Sequence, residues 1–261
     1  MNKIKNYING NLTEPTSKEY FDSFEPATGK AYAEVPDSDN EDLEAAIEAA
    51  QGAFKEWART PASERARLLN AIADEIDNQI ETMAKAESVD NGKPISLARV
   101  VDIPRASLNF RFFASAITNF SSESHAMEDS AINYTLRQPI GLVGCISPWN
   151  LPLYLFTWKI APALASGNCV IGKPSEITPM SAYLLSEICI DVGLPAGVLN
   201  IIHGYGNKVG AAMSGHPEIP VISFTGGTST GKRIAEAAAP HFKKLSLEDG
   251  AATLTEYTAF I

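Results

Sequence analysis

An asparagine between two prolines follows one of the apolar runs of the chain. The segment 147–152 is Ser-Pro-Trp-Asn-Leu-Pro and comes directly after the run 140–146. The amide of Asn150 could donate its NH₂ to a developing oxyanion, and removing such a donor costs on the order of 10²-fold in rate. An asparagine between tryptophan and Leu-Pro is also a common turn residue. Taken alone, the segment favours an ordinary turn, with oxyanion stabilisation as the alternative.

A lysine and a glutamate stand three residues apart after another apolar run. Lys173 and Glu176 follow the run 169–172. The vicinal hydroxyls of a ribose need a donor and an acceptor, and this pair supplies both. A carboxylate here would also repel a 2′-phosphate and so favour NAD over NADP. The alternative, an exposed ion pair at the start of the next helix, is the simpler interpretation of these two residues alone.

A glycine-rich segment, 224–233, follows a third apolar run and precedes a helical pattern. Backbone N–H groups at such a helix start favour phosphate. A dinucleotide fingerprint needs glycine at 226, 228 and 231, but Thr228 occupies the middle position. A Walker A loop needs serine or threonine after Lys232, but Arg233 stands there. Each pattern misses by one residue, so dinucleotide binding and a P-loop NTPase both remain open.

An acidic residue ends the last apolar run of the chain. Glu248 closes the segment Leu-Ser-Leu-Glu at 245–248. A carboxylate at the end of a strand is well placed for general-base work if partial burial raises its pKa towards neutrality. A solvated acid is an equally common outcome, and the run 245–249 could also pass for a Walker B strand.

Cysteines and histidines give weaker indications. The three cysteines are Cys145, Cys169 and Cys189. They lie among apolar neighbours without C-x-x-C spacing, which indicates reduced core thiols and a cytoplasmic protein. No two of the four histidines have metal-ligand spacing, so we expect no metal site.

Composition excludes several classes of partner. The 261 residues suffice for one large or two modest domains. The 21 basic and 31 acidic residues leave a net charge of −10, which argues against nucleic-acid binding. No apolar run approaches the ~18 residues of a membrane span. We therefore expect neither nucleic acid nor membrane as a partner.

Hydrophobic periodicity predicts the elements that position these residues. Apolar residues recur every three or four positions between residues 38 and 120, which indicates an N-terminal helical layer. Alternation at Ile132, Tyr134 and Leu136 predicts a half-buried strand over residues 131–137. From 138 to 250, short apolar runs alternate with helical segments. This pattern predicts an α/β fold with a doubly wound parallel sheet, in which ligands bind beyond the carboxyl ends of the strands.

Five motifs, taken in order, resemble the aldehyde dehydrogenase superfamily over residues of about 5 to 250. They are SPWNLP at 147–152, KIAPALASGN at 159–168, KPSE at 173–176, FTGGT at 224–228 and LSLE at 245–248. The stretches 102–114 and 148–159 look most like the hydroxymuconate and aminomuconate semialdehyde dehydrogenases. The resemblance implies a Rossmann-like NAD-binding domain and oxidation of a small aldehyde to its acid with NAD, through a thiohemiacetal on a cysteine.

The resemblance also implies roles for individual residues. Asn150 matches the oxyanion amide, and Glu248 matches the general base. Lys173 and Glu176 match the pair that binds the adenosine ribose. The positions that match cofactor-lining loops and glycine turns are Ser147, Trp149, Gly206, Gly226, Thr228 and Gly231.

The carboxyl end departs from the family pattern. After the glutamate the family continues with an apolar residue and two glycines, whereas this chain continues Asp-Gly-Ala-Ala-Thr and ends at Ile261. We therefore expect residues 1–250 to form the N-terminal, NAD-binding region and residues 251–261 a non-family tail. The family nucleophile lies beyond the glutamate in a segment that this chain lacks. The expected chain is without a catalytic domain and inactive alone.

A non-catalytic role is the main alternative. The chain could bind NAD without turnover or dock on a full-length relative. An absent catalytic half would leave apolar surface uncovered, which favours a homo-oligomer or association with such a relative.

Overall fold

The computed structural model describes residues 2–128 and 130–249. Short strands come first along the chain: β1 (Asn2–Lys3), β2 (Asn6–Ile8), β3 (Asn11–Thr13), β4 (Tyr20–Glu25) and β5 (Lys30–Pro36). A helical layer follows: α1 (Asn40–Trp57), α2 (Ala62–Asn78), α3 (Ile80–Asn91), α4 (Ile95–Leu97), a π-helical turn (Ala98–Asp102) and α5 (Ile103–Thr118). A hairpin comes next: β6 (Ser124–Met127) and β7 (Ala131–Tyr134).

Strands and helices alternate in the rest of the described chain. The first half of this region contains β8 (Leu142–Ile146), α6 (Pro152–Ala165), β9 (Cys169–Lys173), α7 (Met180–Asp191) and β10 (Leu199–Ile201). The second half contains a π-helical turn (Gly206–Gly210), α8 (Ala211–Gly215), β11 (Val221–Gly226), α9 (Thr228–Ala238), a 3-10 turn (Ala239–His241) and β12 (Lys244–Asp249).

Seven strands form the main sheet in the order β12-β11-β8-β9-β10-β2-β3. Neighbours from β12 to β10 are parallel, and β2 pairs antiparallel with β10. Every residue of β8 and β9 is buried. Helices α1 and α6 both pack on these two strands, so they must lie on opposite faces of the sheet. The predicted α/β fold with a doubly wound parallel sheet is confirmed.

The helical layer packs through its apolar stripe. In α1, Leu43, Ile47, Ala50 and Trp57 are at most 3% exposed, as one face of an amphipathic helix requires. The helix begins where Asp39 accepts a hydrogen bond from the N–H of Glu41 at 2.9 Å. In the described part of the chain, no helix is both long and apolar enough to cross a bilayer.

The predicted half-buried strand at 131–137 is wrong in burial and in extent. β7 ends at Tyr134 and pairs only with β6, in a two-stranded sheet of its own. Ile132, Tyr134 and Leu136 are 76%, 64% and 68% exposed. Alternation indicates a strand, but burial requires a second layer, and none of the described residues covers this hairpin.

The strands β1 to β5 were not predicted. They are short, and two of them, β2 and β3, extend the main sheet as a hairpin. The turn of that hairpin is Asn9-Gly10, with φ of 52° and 76°. Asn-Gly at two positive φ values is the strongest short-range sequence indication of a hairpin, so this turn could have been found from the sequence.

Candidate active site

The order of the strands creates a crevice at the centre of the sheet. β8 lies between β9, which follows it along the chain, and β11, which is added later on its other side. In doubly wound sheets, ligands bind beyond the carboxyl ends of the strands at such a switch point. The segments that lie there are the loop 147–152, after β8, and Gly227, between β11 and α9.

The predicted ribose pair forms an ion pair between a buried lysine and a half-buried glutamate at the tip of β9. Lys173 is the last residue of β9 and is 2% exposed. Its Nζ donates to Oε2 of Glu176 at 2.9 Å and to the carbonyl oxygen of Pro174 at 3.0 Å. The N–H of Gly206 donates to Oε1 of Glu176 at 3.4 Å. The alternative of an exposed ion pair is therefore wrong for Lys173.

The charge state of Glu176 follows from these partners. Burial alone would raise its pKa, but the charge of Lys173 and two backbone N–H donors bring the pKa below its ordinary value. Glu176 is therefore a carboxylate at neutral pH, fixed on one side by a cation and on the other by the turn at Gly206.

The glycine-rich segment passes directly from β11 into α9. β11 ends at Gly226, Gly227 is the N-cap, and α9 begins at Thr228. Lys232 therefore lies inside α9, whereas a Walker A loop places its residues around the phosphates before the lysine. The P-loop alternative is wrong. Among the described residues no side chain caps the start of α9, so the N–H groups of its first residues have no side-chain acceptor there.

The three positions of the near-fingerprint differ in how strictly they need glycine. A Cβ on Gly226 would lie 2.5 Å from the ring of Phe224, so packing requires glycine there. A Cβ on Gly231 would meet that ring at an ordinary 3.7 Å. At the middle position, Oγ1 of Thr228 donates to Oδ2 of Asp249 at 2.9 Å, which ties the start of α9 to the end of β12.

The loop after β8 places Asn150 beside the helical layer. The carbonyl oxygen of Asn150 accepts hydrogen bonds from Nζ of Lys93 at 3.3 Å and Nδ2 of Asn91 at 3.5 Å. Its Oδ1 is buried and has no hydrogen-bond partner among the described residues, and the same holds for Oγ of Ser147. Trp149 is 54% exposed. Asn150 is thus held through its main chain, and its side-chain oxygen makes no hydrogen bond within the turn.

Glu248 lies on β12, beside two residues that sequence analysis missed. Its Oε2 accepts a hydrogen bond from Oγ1 of Thr225 at 2.8 Å and lies 3.6 Å from Nζ of Lys159. The Lys159 side chain is 1% exposed and that of Glu248 is 22% exposed. Burial lowers the pKa of Lys159, and the charge of Glu248 opposes that effect. The sequence did carry an indication, because Lys159 is the only charged residue of α6.

The sheet brings the predicted residues to one edge. Ile146 is in register with Lys173 on one side and with Phe224 on the other, and Thr225 is in register with Glu248. Adjacent strands are about 4.8 Å apart, so the tips of the four neighbouring strands β9, β8, β11 and β12 span roughly 15 Å. Lys173 and Glu248 therefore lie at the same edge of the sheet, on strands separated by β8 and β11.

The three cysteines lie in the core. Cys145, Cys169 and Cys189 are each 0% exposed. Burial raises the pKa of each thiol to about 12. A nucleophile must be a thiolate that can reach its substrate, so none of these thiols serves as one.

Comparison with known proteins agrees with this geometry. A sequence model of the aldehyde dehydrogenase family matches residues 12–255. The match passes residue 250 and includes the first residues of the predicted tail, which lies outside the described residues. The human 2-aminomuconic semialdehyde dehydrogenase is 49% identical over 248 residues, which cover 95% of this chain and 50% of that protein. The 2-hydroxymuconic semialdehyde dehydrogenase of Pseudomonas sp. strain CF600 is 43% identical, covering 96% of this chain and 53% of that protein.

Solved structures give the same result. The NAD⁺ complex of an aldehyde dehydrogenase from Bacillus cereus superimposes with a TM-score of 0.93 at 37% identity, covering 95% of this chain and 51% of that one. The chain spans about half the length of the curated relatives it matches. Five ordered motifs, the sheet order and a family match over most of the chain agree, and the chain belongs to the aldehyde dehydrogenase family.

Proposed function

We propose that the chain is the NAD-binding part of an NAD-dependent aldehyde dehydrogenase that acts on a semialdehyde. The observation that carries this proposal is the ion pair of Lys173 and Glu176 at the tip of β9, closed by the N–H of Gly206. Both curated relatives described above are semialdehyde dehydrogenases by name, which supports the substrate class.

The chemistry of this pair fits the ribose of NAD. An ammonium has three N–H donors, and Lys173 directs two of them to Glu176 and Pro174. We propose that its remaining donor and the carboxylate of Glu176 bind the adenosine ribose hydroxyls. Because Glu176 is charged, a 2′-phosphate in the same place would be repelled, so NAD is preferred to NADP.

We propose that the rest of the cofactor follows the crevice. The start of α9 at Gly226, Gly227 and Thr228 offers its N–H groups to the pyrophosphate. Ser147 and Trp149 line the path towards Asn150, and Gly231 lets the first turn of α9 lie close to the cofactor. When bound, NAD supplies the acceptor for hydride.

The residues at the other end of the crevice fit the remaining steps. The free NH₂ of Asn150 is suited to stabilise the oxyanion of a bound aldehyde carbonyl. Glu248 is suited to take a proton from water, since a carboxylate at a strand tip can accept it while Thr225 and Lys159 hold the side chain. The nucleophile is not among the three buried thiols, so we propose that the 261-residue chain by itself binds NAD and does not oxidise aldehydes.

Association and location belong to the same proposal. The exposed apolar side chains of the hairpin, Ile132 and Tyr134, favour association with a second copy or with a longer relative. The net charge of −10 favours partners other than nucleic acid. The three buried, unpaired cysteines are typical of a reducing compartment, which supports a cytoplasmic location.

Calorimetric titration of the purified chain tests the function. We expect NAD to bind, NADP to bind more weakly, and ATP with Mg²⁺ to give no magnesium-dependent signal. No NADH should form when a semialdehyde is added. Failure to bind NAD would contradict the cofactor assignment, and aldehyde turnover that disappears on changing one cysteine to serine would contradict the assignment of the thiols.

A further inference from the structure

Three charged side chains form a buried group beside the loop of Asn150. Glu87 belongs to α3, Lys93 follows the turn that ends α3, and Asp102 belongs to the π-helical turn before α5. Their side chains are 0%, 9% and 1% exposed. Nζ of Lys93 forms a hydrogen-bonded ion pair with Asp102 and lies 3.8 Å from Oε1 of Glu87. We call these three residues the Lys93 cluster.

The Lys93 cluster bonds to the main chain of the loop at two points. Nζ of Lys93 donates to the carbonyl oxygen of Asn150 at 3.3 Å. Oε1 of Glu87 accepts a hydrogen bond from the N–H of Leu153 at 3.2 Å. The segment 147–151 joins β8 to α6, and these two bonds hold the backbone at the end of that loop and at the first turn of α6, on both sides of Leu151 and Pro152.

The turn that carries Lys93 is itself fixed. Gly92 ends α3 at a φ of +77°, a conformation that favours glycine. The N–H of Lys93 donates to Oδ1 of Asn91 at 3.0 Å, and its carbonyl oxygen accepts from Oγ of Ser88 at 2.7 Å. Lys93 therefore reaches the loop from a rigid base.

Stability alone does not explain this arrangement. Burying three charges is costly, and well-packed apolar residues of the same volume are often as stable or more so. Two polar atoms of the cluster, Nζ of Lys93 and Oε1 of Glu87, instead bond to the carbonyl and the N–H of the loop. A cavity of about 290 Å³ lies over Lys93, Asp102, Trp149 and Asn150, so the loop is not packed tightly on this side.

The orientation of the Asn150 side chain depends on these main-chain bonds. Its Oδ1 has no partner among the described residues, so that side-chain oxygen makes no hydrogen bond that could aim the amide. We propose that Lys93, held by Asp102 and Glu87, is a positioning residue that fixes the main chain of Asn150 and thereby aims its amide into the crevice. The inference rests on the role given to Asn150 under the proposed function.

Hydrogen exchange of the whole 261-residue chain tests this inference without any ligand. We compare wild type with Lys93→Met, which keeps the length of the side chain and removes its donors, and with Lys93→Arg, which keeps the cation. In Lys93→Met, the non-proline amides of 149–153 should exchange about tenfold faster, because one charge-assisted anchor is lost. Lys93→Arg should restore most of the protection.

A matched control is available elsewhere in the chain. Lys243 is 9% exposed, and its Nζ donates to the carbonyl oxygens of His216 and Ile219. Lys243→Met removes the same kind of anchor, so it should speed exchange near 216–220 and leave 149–153 unchanged. If Lys243→Met and Lys93→Met loosen 149–153 equally, the effect is a general loss of stability and the inference is overturned.

The side chain of Asn150 gives a second, specific measurement. Its NH₂ resonances, identified by their loss in Asn150→Asp, should shift in Lys93→Met and return in Lys93→Arg. If Lys93→Met does not fold, Asp102→Asn removes the charge that holds Lys93 and should give a smaller change at the same amides. Unchanged loop exchange and an unchanged Asn150 resonance in the folded variants would overturn the inference.

The outcome is separable from that of the proposed function. Titration of the same proteins with NAD reports on the ribose pair. Wild type that fails to bind NAD contradicts the proposed function and leaves the exchange comparison intact. Lys93→Met that binds NAD normally while its loop loosens supports the positioning role.

Discussion

The two ends of the crevice differ in whether their proposed binding groups already bond to one another. At the ribose end, Lys173, Glu176 and Gly206 bond to one another at 2.9 Å and 3.4 Å. At the reactive end, the side-chain oxygens of Ser147 and Asn150 are buried without a hydrogen-bond partner among the described residues. Glu248 completes that end from the edge strand β12.

The difference indicates which task each end can perform alone. An unpartnered buried polar atom costs about 1–3 kcal/mol, so such an atom at the tip of a strand is a candidate for contact with a ligand. At the ribose end, Lys173, Glu176 and Gly206 already bond to one another, although both ring nitrogens of the neighbouring His203 are buried without a partner among the described residues. The reactive end holds an amide and a carboxylate ready but offers no accessible thiol, so it needs a group from elsewhere.

The largest effect should come from breaking the ribose end. We expect Lys173→Met to weaken NAD binding by at least about 100-fold, because it removes a donor to the ribose and leaves Glu176 without its cation. Calorimetric titration measures this change. Lys243→Met, which also removes a buried lysine, serves as the control and should bind NAD as wild type does. Equal losses in both variants would mean that the ribose pair has no special role.

The carboxylates of the two ends should respond to pH in opposite directions. Burial, with the charge of Asp102, raises the pKa of Glu87 to about 7 from an ordinary 4.5, against the opposing effects of Lys93 and the N–H of Leu153. The native state therefore holds more protons than the unfolded state between these values, and stability falls as pH rises through them. The lowered pKa of Glu176 has the opposite sign, and its contribution is lost only in acid.

Urea unfolding of Glu87→Gln isolates the contribution of Glu87 to the pH dependence of the unfolding free energy. Relative to this variant, wild type should lose about 2 kcal/mol of unfolding free energy between about pH 5 and about pH 8. Taking the difference removes the contributions of other titrating groups, such as His203, whose pKa is lowered to about 3 by burial and the charge of Lys173. Parallel pH profiles for the two proteins would show that Glu87 is not buried in the way described.

Cofactor choice should depend on the charge of Glu176. Glu176→Gln keeps an acceptor and loses the charge, so we expect NAD affinity to fall about tenfold and the preference over NADP to narrow. Competitive titration of the two cofactors measures the ratio. Glu41→Gln, on the exposed start of α1, removes the same charge at a distance and should leave the ratio unchanged. An unaltered ratio in Glu176→Gln would remove the basis for NAD selectivity.

The smallest effect is expected at the reactive end. Asn150→Ala and Glu248→Gln should change NAD affinity by no more than about threefold, because these residues serve the aldehyde and water and do not hold the ribose. The same titrations test this. A loss as large as that of Lys173→Met would mean that the two ends are not separable.

The sequence was sufficient to predict those site residues that directly follow an apolar strand. Each predicted loop follows an apolar strand, and a parallel sheet must bring such loops to one edge, so Lys173, Gly226 and Glu248 could be predicted together. Local alternation was misleading at Ile132 and Tyr134, because period two indicates a strand and does not report whether another layer covers it.

Contacts between distant segments were beyond sequence analysis. Lys159 reaches Glu248 across 89 residues of chain, and Lys93 reaches Asn150 across 57. No local pattern encodes such a pairing. A lone charged residue in an otherwise apolar helix, as at Lys159, is the one indication available, because a buried lysine requires a partner.

A crystal structure of the 261-residue chain with NAD tests the central claim most directly. The account predicts the adenosine ribose on Lys173 and Glu176, and the pyrophosphate at the start of α9 beside Gly227. It also predicts that the order of the strands β9, β8, β11 and β12 is the same with NAD bound as in the structure described above. NAD bound outside this crevice, or a ribose that contacts neither Lys173 nor Glu176, would contradict it.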